Sequence, residues 1–263
     1  MSMKLGIIGG SGLYEIDGFE FIGEESVETE WGSPSDAYRH YRYKGVEFYF
    51  LNRHGRSHGI PPHSVNYRAN IAGFEKLGIS RIISFTAVGG IKGVKPGDIV
   101  ISSNAIDHTS GRAHTFYDGG LIHHIDFTEP FCPELRELLI NSAEKAGVGV
   151  IKSGVYICTN GPRLETAAEI KYFEKIGADT VGMTMFPEAP LAREKEICYA
   201  NVSVITNYAA GTNDAKLTTV EVVETMKAST ERIKALVSAL PDSYTVNRNC
   251  FCKDALEGTK ISK

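Results

Sequence analysis

The sequence predicts a single α/β domain over residues 1–263, a sheet with helices on both faces. Three observations carry that prediction. Short apolar runs of strand type alternate along the chain with stretches whose apolar residues recur at i, i+3 and i+4. At 263 residues the chain is long enough to bury a sizeable core, and no internal repeat or low-complexity tract divides it. Hydrophobic content of 42% with 23% charged residues excludes disorder and coiled coil.

The elements follow in order. "KLGIIGG" is an apolar strand running into glycines, and "AYRHYRYK" and "VEFYFLNR" form a hairpin turning at Lys44-Gly45. "VNYRANIAGFEKLG" has helical spacing, and "RIISFTAV" and "GDIVISSN" are strands. "PELRELLINSAEKAG" is a helix, "GVYICT" a strand, and "TAAEIKYFEKIG" a helix opened by the capping box Thr166–Glu169. "DTVGMT" and "CYANVSVITN" are the last strands. A long helix, "TTVEVVETMKASTERIKALVSAL", then starts from a second capping box, Thr218–Glu221.

Charge and targeting signals narrow the function. A net charge of −4, without a Lys/Arg run or a basic-aromatic stripe, argues against nucleic acid as partner and for small-molecule ligands. There is no apolar leader core and no run approaching ~18 apolar residues, so a cytoplasmic, membrane-free protein is expected. The five cysteines, Cys132, Cys158, Cys198, Cys250 and Cys252, are scattered and odd in number. That does not describe a secreted disulfide scaffold, and "CFC" lacks the spacing of a C-x-x-C zinc half-site, so no metal site is expected. Surface thiols and a local disulfide both remain open, the second pointing to a hyperthermophilic source.

"GIIGGSGL" asks to be tested as a dinucleotide fingerprint, and fails. Counted from Gly10 and Gly12, the third glycine falls on Glu15, and Asp17-Gly18 breaks any following helix. What survives is a tight turn whose backbone N–H groups and Ser11 hydroxyl can hold one phosphate-sized anion. Other strand ends are polar as well. "NRHGRSHG" supplies Arg53, His54, Arg56 and His58, "FTAVGG" ends a strand with Thr86, and "GMTM" and "ITNYAAG" bring Met183, Thr184 and Asn207. Each has a plain structural explanation, since a strand-end Thr satisfies its own backbone and a Met after glycine packs in the core. Taken together, Ser11, Arg53, His54, Thr86 and Thr184 are the residue types that bind free phosphate: a guanidinium fork, an imidazole and several hydroxyls. On that basis Arg53→Ala is expected to raise the phosphate KM and leave the fold intact.

The motifs "GIIGGSGL", "RHGRSH", "NYRANI", "TAVGGIKGVKPGDIV", "EPFCPELRELL", "NGPRLETAAE", "GMTMFPEAPLARE" and "ITNYAAG" stand in this order along almost the whole chain. They resemble those of the trimeric purine nucleoside phosphorylases and 5'-methylthioadenosine phosphorylases. The resemblance implies a mixed, twisted β-sheet flanked by helices, and attack of orthophosphate on C1' of a purine nucleoside. No metal or organic cofactor is implied, phosphate being a co-substrate. By the same resemblance Ser11, the Gly9-Gly10 backbone, Arg53, His54, Thr86, Ala87 and Thr184 hold phosphate, and Met183 lies against the ribose. The neighbouring subunit of a homotrimer, or of a dimer of trimers, lends His124 or His123 to the 5' end. His58, Thr219, Val222 and Val223 line the 5' pocket, Leu164 takes a base-stacking position, and Cys132–Cys198 and Cys250–Cys252 pair if the source is a hyperthermophile.

The base pocket departs from the methylthioadenosine branch, which has Asp where this chain has Asn207 and again where it has Ala209, and Ser where it has Glu165. Glu165 and Asn207 resemble the 6-oxopurine branch. A carboxylate only accepts, so Glu165 suits the N1–H of hypoxanthine or guanine and repels the bare N1 of adenine, while Asn207 can serve O6 and N7. A capping-box neighbour also favours an acid at Glu165 through the helix dipole. Hydroxyl and methylthio groups both remain open at the 5' end. A nucleoside hydrolase lacks its Asp-rich calcium site here, the Rossmann oxidoreductase fails on glycine spacing, and a noncatalytic nucleoside-binding protein stays as the alternative.

Overall fold

A computed structural model describes residues 3–10, 16–213 and 219–261, with backbone alone for 219–221. The capping-box residue Thr218 and the anion-turn residue Ser11 lie outside the described residues. Among the described residues the strands form a ten-stranded mixed sheet. The first, β1 (Met3–Gly9), is flanked on one side by an antiparallel ladder of β2 (Glu20–Glu25), β3 (Tyr38–Tyr43) and β4 (Val46–Asn52), and β4 pairs parallel with β1. On its other side lies β5 (Arg81–Gly90), which runs parallel to the final strand β10 (Cys198–Tyr208). Short β6 (Ile99–Ile101) pairs antiparallel with β10. The sheet then continues from β5 through β9 (Thr180–Gly182) to β8 (Val155–Thr159) and β7 (Asn104–His108). The hairpin turns where the sequence places it, with Lys44 at φ 46° and Gly45 at φ 78°, the left-handed pair of a type I′ turn.

Side-chain alternation divides the core in two. Leu5, Ile7, Ile83 and Phe85 face the layer of α2 (Pro133–Lys145) and α5 (Thr219–Ala239), packing with Leu135, Leu139, Ile233 and Leu236. Ile8, Ile82, Tyr199 and Ile205 face α1 (Tyr67–Lys76) and α4 (Met185–Glu194), where Ile71, Phe74, Met185 and Leu191 complete the layer. A third helix, α3 (Ala167–Lys175), covers β8 and β9 through Ile170 and Phe173 against Ile157 and Val181. Its capping box is present, Thr166 Oγ1 accepting from the Glu169 N–H at 3.2 Å and Glu169 Oε2 accepting from the Thr166 N–H at 2.7 Å.

Three elements escape the sequence pattern: β2, α4 and β7, which runs on from the last residue of "GDIVISSN" and is exposed or half-buried throughout. β2, "EFIGEE", is exposed or half-buried throughout and shows no buried face for a period-2 pattern to reveal. α4 carries Pro187 and Pro190 and departs from helical geometry at Phe186 and Pro187, which is why "MFPEAPLARE" does not scan as a helix. The cysteines also differ from expectation. All five are buried, so none is a surface thiol, and none is in a disulfide. The sulfurs of Cys132, Cys198, Cys250 and Cys252 form one cluster within 4.8 Å in place of the two implied pairs.

Candidate active site

Strand pairing leaves a gap in the sheet, bordered by Thr86 and Ala87 of β5. One edge of β5 pairs with β10 along its whole length, from Arg81 to Gly90. Its other edge is taken by β1 only as far as Ser84, and by antiparallel β9 only at Gly89 and Gly90. Between those points the edge from Phe85 to Val88 has no strand neighbour among the described residues, because β1 has ended and β9 has not yet joined. Ala87 is the one exposed position of β5, a strand otherwise buried from end to end. Thr86 and Ala87 are therefore mid-strand, not strand-terminal as the sequence suggests, and Ala87 is exposed because the neighbouring strands part there. β1 ends at Gly9 and β9 at Gly182, so Gly10, Met183 and Thr184 follow the ends of the two strands that flank this gap. Such a break in an α/β sheet, at the carboxyl ends of parallel strands, is where ligands are bound.

Arg53 follows β4 and reaches the start of the unpaired edge of β5 at Ser84 and Phe85. It is 3% exposed, and its guanidinium is bound by Glu188 of α4, with Nε to Oε1 at 2.5 Å and Nη2 to Oε2 at 3.1 Å. Nη2 also donates to Ser84 Oγ at 2.6 Å and Nη1 to the Phe85 carbonyl at 3.2 Å. Glu188 is fully buried and accepts further from Ser84 Oγ and from the Tyr199 hydroxyl, at 3.2 and 2.7 Å. Burial alone would depress the Arg53 pKa, but the charge and hydrogen bonds of Glu188 raise it above its ordinary value. Arg53 is therefore a fixed cation with one Nη1 hydrogen beyond these bonds, and not a free fork. Removing it strands a buried carboxylate, so the expectation that Arg53→Ala leaves the fold intact does not hold.

Beside it His54 is half-buried, and Nδ1 donates to the Ile60 carbonyl at 2.7 Å, which leaves Nε2 as an acceptor. Burial and then the neighbouring Arg53 charge lower its pKa from 6.5 to about 4. The imidazole is thus neutral at physiological pH and suits the P–OH of a protonated phosphate. A lowered folded pKa means that the unfolded chain takes up the proton first. The His54 contribution to stability is therefore full above 6.5 and is lost as pH falls towards 4. Urea melts at about pH 7 and about pH 5 should show His54→Gln losing less stability on acidification than the wild type. Equal losses would remove His54 from this balance.

Thr86 Oγ1 accepts from Asn201 Nδ2 at 3.1 Å and contacts Ser203 Oγ at 3.3 Å, which fixes its rotamer beneath the gap. Thr184 is buried at the start of α4 with no side-chain cap bond to that helix. Gly161 sits over Met183, at φ 63°, where a Cβ would come 2.4 Å from the Met183 sulfur. The loop after β8 therefore closes on Met183 without room for a side chain.

Glu165 lies in the loop after β8 and Asn207 near the end of β10. Thr159, the last residue of β8, donates from Oγ1 to Glu165 Oε1 at 2.7 Å, fixing one oxygen of the half-buried carboxylate and leaving Oε2 to accept. Asn207 is 8% exposed on β10; its Oδ1 accepts from Thr206 at 2.8 Å and its Nδ2 donates to the Tyr208 carbonyl at 2.8 Å. One N–H and one lone pair remain for a ligand edge. The loop beyond, with buried Ala209, meets the start of α3: a Cβ on Gly211 would stand 2.5 Å from that of Ala167, two residues after Glu165. Leu164 is 52% exposed, an open apolar surface next to this edge.

Residues expected at the 5' end are more dispersed. His58 is exposed at φ 55°, its ring centroid 4.8 Å from that of His54. Val222 is half-buried and Val223 64% exposed on the first turns of α5, and the Thr219 side chain lies outside the described residues. His123 is tied inside its own chain, with Nδ1 2.9 Å from Thr259 Oγ1, whereas His124 is exposed.

A family model described as "Phosphorylase superfamily" matches residues 4–241. The chain belongs to this phosphorylase superfamily. It is 51% identical over 261 residues to the probable S-methyl-5'-thioinosine phosphorylase of Thermodesulfovibrio yellowstonii, covering 98% of each chain. It is 47% identical to the 6-oxopurine nucleoside phosphorylase of Pyrococcus furiosus, over 97% of this chain and 98% of that one. A crystal structure of methylthioadenosine phosphorylase from an antarctic soil metagenomic library superposes with a TM-score of 0.92 at 30% identity, covering 100% and 93%.

Within this phosphorylase-superfamily fold, three supporting residues escape sequence reasoning. Glu188 neutralises Arg53, and its only signal is a lone charge in the apolar run "MFPEAPLA". Thr159 orients Glu165. Arg112 ties both site loops together, donating to the carbonyls of Thr159, Asn160 and Phe186. Its position in "SGRAHT" gives no sign of that, because its partners lie 47 to 74 residues away.

Proposed function

We propose that the protein is a purine nucleoside phosphorylase acting on 6-oxopurine nucleosides: inosine, guanosine or 5'-methylthioinosine. Orthophosphate attacks C1', the C1'–N9 bond breaks with its electron pair passing to the purine, and the products are free base and (5-methylthio)ribose 1-phosphate. The observation that carries this is the gap beside Ala87. There Arg53, neutral His54, Thr86 and Thr184 can hold phosphate below a sugar lying on Met183. On this reading Glu165 and Asn207 supply a one-acceptor, one-amide edge for the base. No side-chain nucleophile is needed, because phosphate is the nucleophile, and alignment of the two reactants can supply about 7–11 kcal/mol of the barrier. Donors aimed at the departing purine then stabilise charge as it develops. Orthophosphate as co-substrate, no organic cofactor, a cytoplasmic homotrimer and a neighbour's His124 at the 5' end belong to this proposal on the strength of the family resemblance.

Two other activities make different predictions. A methylthioadenosine phosphorylase would cleave the 6-amino substrate equally well, and a nucleoside-binding protein would release no base. Purine release from inosine, guanosine, 5'-methylthioinosine and 5'-methylthioadenosine is to be followed with and without phosphate. Release is expected only with phosphate and foremost from the 6-oxopurines. Equal release without phosphate would make the protein a hydrolase, and none under either condition a binding protein.

A further inference from the structure

Four thiols converge at the end of the sheet opposite Asn207. Cys132 is the N-cap of α2, Cys198 opens β10, and Cys250 and Cys252 lie at the start of a short 3-10 helix spanning Phe251–Asp254. Their exposures are 0%, 0%, 5% and 0%. Their four sulfurs all lie within 4.8 Å of one another, with Cys198 and Cys250 at 3.4 Å. We propose that Cys132, Cys198, Cys250 and Cys252 form a four-thiolate site that takes one zinc ion per chain and staples the C-terminal segment to the central sheet.

The geometry favours a central ion over paired sulfurs. Two disulfides need two sulfur pairs closed to about 2.05 Å and place no condition on the distance between the pairs. A tetrahedral ion with Zn–S bonds of about 2.3 Å requires all six sulfur separations to fall near ~3.8 Å. All four sulfurs within 4.8 Å of one another, with Cys198 and Cys250 at 3.4 Å and no pair closed to a disulfide, fit a shared centre. Zinc also suits the ligand set, since soft thiolates select such d10 ions and a closed shell of four cysteines with no open position is a structural site. Binding is not a redox step: four thiols release four protons and one zinc ion enters, giving a dianionic centre. Positive surroundings offset that charge. Arg248 Nη1 lies 4.0 Å from Cys198 Sγ while donating to the Glu196 carbonyl, and Cys132 sits at a helix N-terminus, which favours anions. The C-terminal segment is otherwise held here by side-chain contacts such as Arg193 over the Phe251 ring at 4.7 Å. Sequence spacing hides the site because the ligands are separated by up to 120 residues, from Cys132 to Cys252.

The test is metal content and mass of the full-length protein produced in zinc-containing medium and purified without added reductant. We expect one equivalent of zinc by elemental analysis, and a denatured, non-reduced mass equal to that of five free thiols. Cobalt(II) added to the demetallated protein should give the intense visible bands of a tetrahedral thiolate complex. Cys252→Ser should weaken cobalt binding by more than the ~10–100-fold that loss of a mere outer-shell partner produces. Should that variant fail to fold, the wild-type metal and mass measurements decide alone. A mass deficit of one or two disulfides without zinc, or free thiols that take up neither zinc nor cobalt, overturns the proposal.

Discussion

Glu188→Ala should lower Tm by about 6–20 °C. Removing one partner of a buried ion pair costs about 3–5 kcal/mol, and in a chain of this size 1 kcal/mol shifts Tm by about 2–4 °C. The magnitude follows from what is left behind: a guanidinium 3% exposed, shut off from bulk solvent, with its Nε and Nη2 bonds to the carboxylate gone. Tyr199 loses its acceptor as well, and Ser84 one of its partners. Glu188→Gln should lose less, because an amide oxygen still accepts from Tyr199 although the charge is absent. The same substitutions separate scaffold from site. If Arg53 presents its remaining Nη1 hydrogen to phosphate, Glu188→Gln raises the phosphate KM by letting the guanidinium shift while the nucleoside KM changes little. Thermal melts and phosphate saturation curves of the two variants check this. A Tm within about 2 °C of the wild type for Glu188→Ala would mean that the pair is not held as the structure has it.

That ion pair also marks the limit of what the sequence reveals. Alternation of strands and helices is legible because each element buries one face or stripe, and period follows directly from that. The hairpin is legible because Lys44-Gly45 carries its own turn chemistry. Arg53, His54, Thr86 and Thr184 can be grouped as phosphate-type residues from their chemistry. Their actual states cannot, since Arg53 is fixed by Glu188, 135 residues away, and His54 is neutral through a burial that no local pattern encodes. The two glycines that follow Thr86 closely suggest a strand end there. In the folded protein the strand runs on to Gly90, and the opening at Ala87 comes from β1 ending and β9 joining late. Gaps of that kind are properties of pairing between distant strands. The thiol cluster escapes for the same reason.

Base selectivity carries the second large effect. The wild-type enzyme should cleave inosine or 5'-methylthioinosine with a kcat/KM roughly 100-fold or more above that for the matching 6-amino nucleoside, because two residues face the base and, at the first of them, adenine leaves both a carboxylate oxygen and its own N1 without a donor, each at a cost of about 1–3 kcal/mol. At the first, Thr159 already donates to Glu165 Oε1, so Oε2 is the oxygen left to face the base. It accepts from the N1–H of a 6-oxopurine, and with adenine it meets a lone pair. At the second, Asn207 has one N–H and one lone pair left after its bonds to Tyr208 and Thr206. The N–H meets O6 or N7 as negative charge develops on the leaving base. Glu165→Ser should therefore reduce 6-oxopurine turnover most and leave the 6-amino substrate nearly unchanged. Asn207→Asp should narrow the gap from the other direction, since an acid bonded at N7 serves adenine as well. Phosphorolysis of inosine, adenosine and their 5'-methylthio analogues at equal phosphate measures both ratios of 6-oxo to 6-amino cleavage. Cleavage of 5'-methylthioadenosine as fast as 5'-methylthioinosine by the wild type would exclude this role for Glu165 and Asn207, while leaving the proposed phosphate and sugar site beside Ala87 untouched.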